Sequence, residues 1–166
     1  MKRFVGIDCG KTGGIVSIGH DQEIDLKIIM PTMPDGKKKK INIKALNDII
    51  IFLNVLEPIF IVEDPGGHAP SAAGLRSMTY SFAVVEALLV VNQCSYINVT
   101  ARKWQKEFWT KPKELKGQKW NTKEQALNSA NEIWPNTDWR QNDRCRVAHD
   151  GIVDAALIGM YGFRQK

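Results

Sequence analysis

The chain has 166 residues, 43% of them hydrophobic and 25% charged, and a formal net charge of +5. That length holds one domain with a proper core, residues 1–166, and little more. The composition is that of an ordinary soluble globular protein, and its basic excess favours an anionic partner, nucleic acid foremost. Cys9, Cys94 and Cys145 are odd in number and lack metal-ligand spacing, as expected of reduced, buried thiols. Neither end offers a charged-then-apolar signal segment, and no apolar run reaches the roughly 20 residues that a membrane span needs. An intracellular, cytoplasmic protein is expected.

In chain order, residues 3–8 form a continuous apolar strand, 14–19 a second and 23–30 a third, joined by short turns as a meander. Pro31, Pro34 and the Asp35-Gly36 pair end this hairpin system. Asn42 caps a helix over 43–56, with Ala45, Leu46, Ile49, Ile50, Leu53 and Leu56 on its apolar side. Pro58 stops it, and the wholly apolar strand 59–63 belongs in the interior of a sheet.

Pro70 opens a long helix, 70–91, rich in small and apolar residues (Ala72, Ala73, Gly74, Ala83, Val84, Ala87) that permit close approach of another helix. It is either central packing or a dimer face. Residues 96–99 form a fifth strand, and Thr100 caps a helix beginning at Ala101. The lysine-rich stretch 109–121, broken by Pro112 and Gly117, reads as a mobile loop. Asn121 with Glu124 resembles a capping box for a helix ending near Trp134. A polar loop, 135–143, leads to a C-terminal helix over 145–163. Three antiparallel strands followed by strand–helix alternation predict a mixed α/β sheet with helices on both faces.

Acidic residues stand at the ends of these elements. Asp8 closes the first strand and meets the glycine-rich turn Cys9-Gly10-Lys11-Thr12-Gly13-Gly14. Glu63 closes the strand 59–63. Its neighbour Asp64 points to the opposite face by strand alternation, and preceding Pro65 it reads as turn chemistry. Asp150 and Asp154 are four apart, about 40° round a helix, whereas His149 lies about 140° from Asp154. Charges that close buried strands are costly unless paired or metal-bound. Carboxylates are natural ligands of Mg²⁺ or Mn²⁺, and a cluster holding two ions suits phosphodiester hydrolysis.

The plainer alternatives are a tight hairpin at Asp8 and two solvated acids at a helix start. An acid before a glycine-rich hairpin also opens the phosphate site of actin-like kinases, but that fold uses two such domains and far more chain.

The pattern as a whole resembles the RuvC family of Holliday-junction resolvases, in the ribonuclease H-like superfamily. The matching stretches are Gly6-Ile7-Asp8-Cys9-Gly10 with Thr12-Gly13-Gly14, then Ile61-Val62-Glu63, then His149-Asp150 through Asp154-Ala155-Ala156-Leu157. Val99-Thr100-Ala101-Arg102-Lys103-Trp104 resembles the family's basic element after the fifth strand. The resemblance spans nearly the whole chain in the right order. It implies a ribonuclease H-like five-stranded sheet, catalytic metal ligands at Asp8, Glu63, Asp150 and Asp154, and two Mg²⁺ or Mn²⁺ ions per site. It also implies a homodimer making paired nicks in four-way DNA junctions, in recombination and repair. Other outcomes are a related nuclease acting on flaps or RNA, or a non-catalytic branched-DNA-binding protein.

Some positions depart from the family. Cys9 stands where a proline is common. The last two acids are four apart rather than the more familiar three. His149 is a rival ligand, or a nearby proton-transfer group, because some relatives of the family put histidine in this region. Asp64-Pro65-Gly66-Gly67-His68 lacks the aromatic wedge that bacterial members carry nearby. The Lys/Asn/Ile-rich chain is closer in style to a phage-encoded member, acting in a bacterial host.

Basic residues expected to contact DNA are Arg76, Arg102, Lys103, Lys106, Lys111, Lys113 and Lys116, with Lys119, Lys123 and the run 37–40 as further positive charge. All five tryptophans fall between 104 and 139, where aromatic rings could stack on exposed bases. Trp104 and Trp134 are assigned to the core, and Trp109 and Trp120 are left open.

Overall fold

Unbroken apolar segments become buried strands, and the order in which they pair decides where the acids meet. The computed structural model describes residues 2–66, 71–112 and 120–165. Strands β1 (Phe4–Ile7), β2 (Gly14–Ile18) and β3 (Ile24–Ile29) form the expected antiparallel meander. A second hairpin follows, β4 (Thr32–Asp35) with β5 (Lys38–Ile41). Here the expectation that Pro34 and Asp35-Gly36 end the hairpin system is corrected. Gly36 takes the left-handed conformation (φ 61°) that a tight turn requires, and Pro34 is tolerated because this ribbon has only two strands.

Helix α1 (Ile43–Asn54) is capped by Asn42, whose side chain accepts from the Ala45 N–H, and buries Leu46, Ile50 and Leu53. It ends two residues short of the expected limit, so Leu56 is exposed rather than packed. After β6 (Ile59–Asp64) comes α2 (Ala72–Val91), capped by Ser71. Strand β7 (Ser95–Thr100) runs straight into α3 (Ala101–Phe108), with Thr100 at the cap position but making no side-chain cap bond. Asn121 and Glu124 form the reciprocal capping box at the start of α4 (Thr122–Ile133). The last helix, α5 (Asp150–Arg164), begins five residues later than expected because His149 is extended and caps it.

The main sheet has the order β3-β2-β1-β6-β7, with β6 and β7 parallel to β1. Strand alternation sorts the side chains between two layers. Val5, Ile7, Phe60 and Val62 pack with Leu46, Ile50, Val85 and Leu89 of α1 and α2. Phe4, Val16, Ile18 and Ile61 pack with Trp104, Ala130 and the nearly all-buried α5. Cys9 and Cys94 are buried as expected, whereas Cys145 is partly exposed.

Helix α2 departs from the sequence reading in another way. Its 20 residues are long and apolar enough, by length and composition, to cross a membrane, although no uninterrupted apolar run in the sequence is that long. Only Ser81, Val85 and Leu89 are buried within the chain. Tyr80, Val90 and Val91 are exposed on its other side.

Candidate active site

The acids meet because two backbones touch. A Cβ on Gly6 would lie 1.9 Å from the Ala155 carbonyl oxygen, so β1 and α5 pack directly on each other. At the start of α5, a Cβ on Gly151 would lie 2.3 Å from the Thr12 carbonyl oxygen, and Gly13 forms a bridge with Gly151. The glycine-rich turn after Asp8 thus serves as the seat for the first turn of α5. Its Asp8 carboxylate accepts from the Gly10 N–H at 2.9 Å and is fixed at the C-terminal end of β1.

Asp8, His149, Asp150 and Asp154 line one cleft of about 370 Å³, with Lys123 at its edge. Asp8 and Glu63 line a smaller depression beside it. Parallel pairing of β1 with β6 carries Glu63 to this end of the sheet, and Trp104 Nε1 donates to its carboxylate at 2.7 Å. Asp64 instead accepts from the Gly66 N–H, the turn role expected of it. Asp150 is half-exposed and ion-paired with Lys123 at the rim.

The acids act on one another electrostatically. Burial and then the Asp8 charge push the Glu63 pKa up from 4.5 to about 7, against the Trp104 hydrogen bond, which lowers it. Burial, then the charges of Asp8, Glu63 and Asp150, push Asp154 up from 3.8 to about 8. Burial also raises Asp8, opposed by the Gly10 N–H and by His149. Mutual repulsion among oxygen donors suits a hard divalent cation, whose charge would relieve it. Among the described residues, no three His, Cys, Asp or Glu side chains stand close enough together, as placed, to hold a metal ion. The carboxylates converge in charge around an open cleft.

The structure gives His149, a rival ligand on sequence grounds, a definite task. Its Nδ1 accepts from the Ile152 N–H at 3.3 Å, which puts the proton of the neutral ring on Nε2. Two residues gain roles that sequence patterns did not assign. Trp104 fits the core assignment, yet it also holds Glu63. Lys123, placed among the general basic residues, pairs with Asp150. The capping box that starts α4 at 122 was the signal that could have placed Lys123 on the first turn of that helix.

The expected DNA contacts divide. Arg102, Lys106 and Lys111 border one basic cavity between α3 and the start of α4. Lys103 lines a separate groove with Phe4, Ile59 and Tyr161. Arg76 is exposed on α2, two residues before Met78, which borders the acidic depression. Lys113 and Lys116 lie outside the described residues, as does most of the loop expected over 109–121.

No protein-family model and no curated protein sequence matches this chain. Solved structures do. RuvC of T. thermophilus in complex with a Holliday junction substrate is 13% identical, with a TM-score of 0.66 over 99% of this chain and 96% of that one. A second Thermus thermophilus RuvC structure is 14% identical, with a TM-score of 0.56 over 98% of this chain and 96% of that one. At these identities the likeness is one of fold. The chain has the ribonuclease H-like α/β fold of RuvC across nearly its whole length.

Proposed function

We propose that this chain is a metal-dependent, structure-selective endonuclease that makes paired nicks in four-way DNA junctions. The observation that carries the reading is the electrostatic convergence of Asp8, Glu63 and Asp154 at one end of a RuvC-like sheet. Three mutually repelling, partly buried acids weaken a fold unless they are used.

Asp8, Glu63, Asp154 and the rim residue Asp150 would hold Mg²⁺ or Mn²⁺, two ions per site. Bound there, the ions supply charge stabilisation and water activation for phosphodiester hydrolysis. The protein's own residues position the ligands. Trp104 fixes the Glu63 carboxylate, the Gly10 amide orients Asp8, and the Lys123 pair tethers Asp150. His149, which lines the cleft with Asp8 and whose Nδ1 is taken up by the Ile152 N–H, would offer its Nε2–H as a hydrogen-bond donor to a phosphate oxygen.

Symmetric nicking needs two sites related by a two-fold axis, so the active species is a homodimer. The exposed side of α2 supports this reading. Ala73, Tyr80, Ala83, Ala87 and Val90 recur there at helical spacing, giving small and apolar contacts for a second copy. Arg76, Arg102, Lys103, Lys106, Lys111, Lys113 and Lys116 supply contacts to the DNA backbone. The setting is recombination or repair in a cytoplasm, that of a bacterial host if the chain is phage-encoded.

The deciding experiment offers labelled four-way junction, flap, duplex and RNA–DNA hybrid with Mg²⁺. Symmetric nicks in the junction support the proposal. Preferential cutting of flap or hybrid assigns the site to another ribonuclease H-like nuclease, and binding without cutting makes it a junction-binding protein.

A further inference from the structure

Beside the acids, α3, the residues that follow it and the start of α4 border an open cavity of about 380 Å³, within the range of ligand-sized clefts. Its wall combines the indoles of Trp109 and Trp120 with the cations Arg102, Lys106 and Lys111. The Trp120 Nε1 donor is buried and, among the described residues, has no hydrogen-bond partner. An unmet buried donor is costly, and it is relieved when an acceptor enters.

Two contacts tie this cavity to the acidic cleft. Trp109 packs edge-on against Trp104 with ring centroids 5.6 Å apart, and Trp104 holds Glu63. Thr122 lines the cavity, and the next residue, Lys123, pairs with Asp150. A ligand here therefore sits one residue layer from the acids, on the side where α3 and α4 meet. Aromatic faces ringed by cations suit a group that is flat, carries acceptor atoms and is joined to phosphate.

We propose that this cavity receives a single unpaired nucleobase of the DNA strand lying across the acidic cleft. This rests on the reading of the cleft as a nuclease site. Trp109 and Trp120 supply the stacking surface. A small turn of the Trp120 ring gives its N–H an acceptor on the base edge, while Arg102 and Lys106 hold the flanking phosphates. An unpaired base exists where strands exchange or fray but not within a continuous duplex, so the cavity reads branch structure.

The test compares binding of a short single-stranded oligothymidylate with the same sugar-phosphate backbone lacking bases, by fluorescence anisotropy in Ca²⁺. The wild-type chain should bind the base-bearing strand about tenfold more tightly. Trp120→Ala should abolish that preference, and Trp120→Phe, which keeps a ring, should retain most of it. Lys106→Ala should weaken both strands equally and flatten the salt dependence. Equal wild-type affinity for the two strands, or an undiminished preference in Trp120→Ala, overturns the proposal. A misfolded variant loses both strands together, and the wild-type comparison then decides alone. Junction nicking in Mg²⁺ is scored separately. A base preference without nicking leaves the cavity standing and refutes the nuclease reading, whereas nicking without a preference refutes the cavity alone.

Discussion

Trp104 Nε1 donates to the Glu63 carboxylate at 2.7 Å from a ring that is only 1% exposed. A core tryptophan on α3 therefore opposes the rise in pKa that burial and Asp8 impose on an acid on β6. Trp104→Phe keeps an aromatic ring but removes the donor. Because that bond lowers the Glu63 pKa, its loss should raise it above about 7. The acid limb of the cleavage rate–pH profile should then move to higher pH. An unmoved limb would show that Trp104 only packs.

The raised acids also make a prediction about stability. Glu63 moves from 4.5 to about 7, and Asp154 from 3.8 to about 8. Between the low and high values the folded chain binds more protons than the unfolded one, so stability must fall as pH rises through this window. Metal-free protein should therefore melt at higher temperature near pH 5 than near pH 8. Asp154→Asn should flatten the decline and stabilise the metal-free protein at pH 8 by on the order of a few kcal/mol. Added Mg²⁺ should raise the wild-type melting temperature at pH 8 and should do so far less for Asp154→Asn. Melting curves across pH, with and without Mg²⁺, check each statement.

Gly151 seats α5 on the turn after Asp8, with no room for a Cβ against the Thr12 carbonyl. Gly151→Ala must push the first turn of α5 outwards and carry Asp154 away from Asp8. The expected cost is roughly 1–3 kcal/mol of stability, with a loss of cleavage well beyond what that explains. A variant that folds and cuts normally would show that the close approach is dispensable. Denaturant melts beside a nicking assay separate the two effects.

Much of this assembly could be read from the chain, and the reasons differ by element. The strands β1, β2, β3 and β6 were legible because continuous apolar runs have few other fates. Asp8 and Glu63 stood out because a charge at the end of such a run needs a reason to be there. The β4–β5 hairpin was hidden because Pro34 and the lysines of 37–40 argue against a strand on a buried sheet, and this ribbon is not buried. The start of α5 was misjudged because Cys145-Arg146-Val147-Ala148 contains nothing that forbids helix, and only the extended His149 sets the boundary. The Trp104–Glu63 bond and the Lys123–Asp150 pair join residues 41 and 27 positions apart, and no local pattern encodes such contacts.

Ala83 lies near the middle of the exposed side of α2. If that side joins two copies, Ala83→Glu places two like charges at the interface in an apolar setting. The variant should sediment as a monomer and remain folded, since the position is exposed in the single chain. It should also lose paired nicking on one junction. A wild-type chain that is monomeric at working concentration and still makes paired nicks would contradict the dimer.

The central claim is that Asp8 and Glu63 form a catalytic metal site and not a structural acid pair. Asp8→Asn and Glu63→Gln keep shape while removing the charge that holds a cation. The direct measurement is a junction gel-shift in Ca²⁺ beside a junction-nicking assay in Mg²⁺ for both variants and the wild type. The account predicts binding equal to wild type or tighter, because lysine–phosphate contacts persist and a repelling charge is gone. It predicts nicking reduced by several orders of magnitude. Near wild-type nicking by both variants would contradict it.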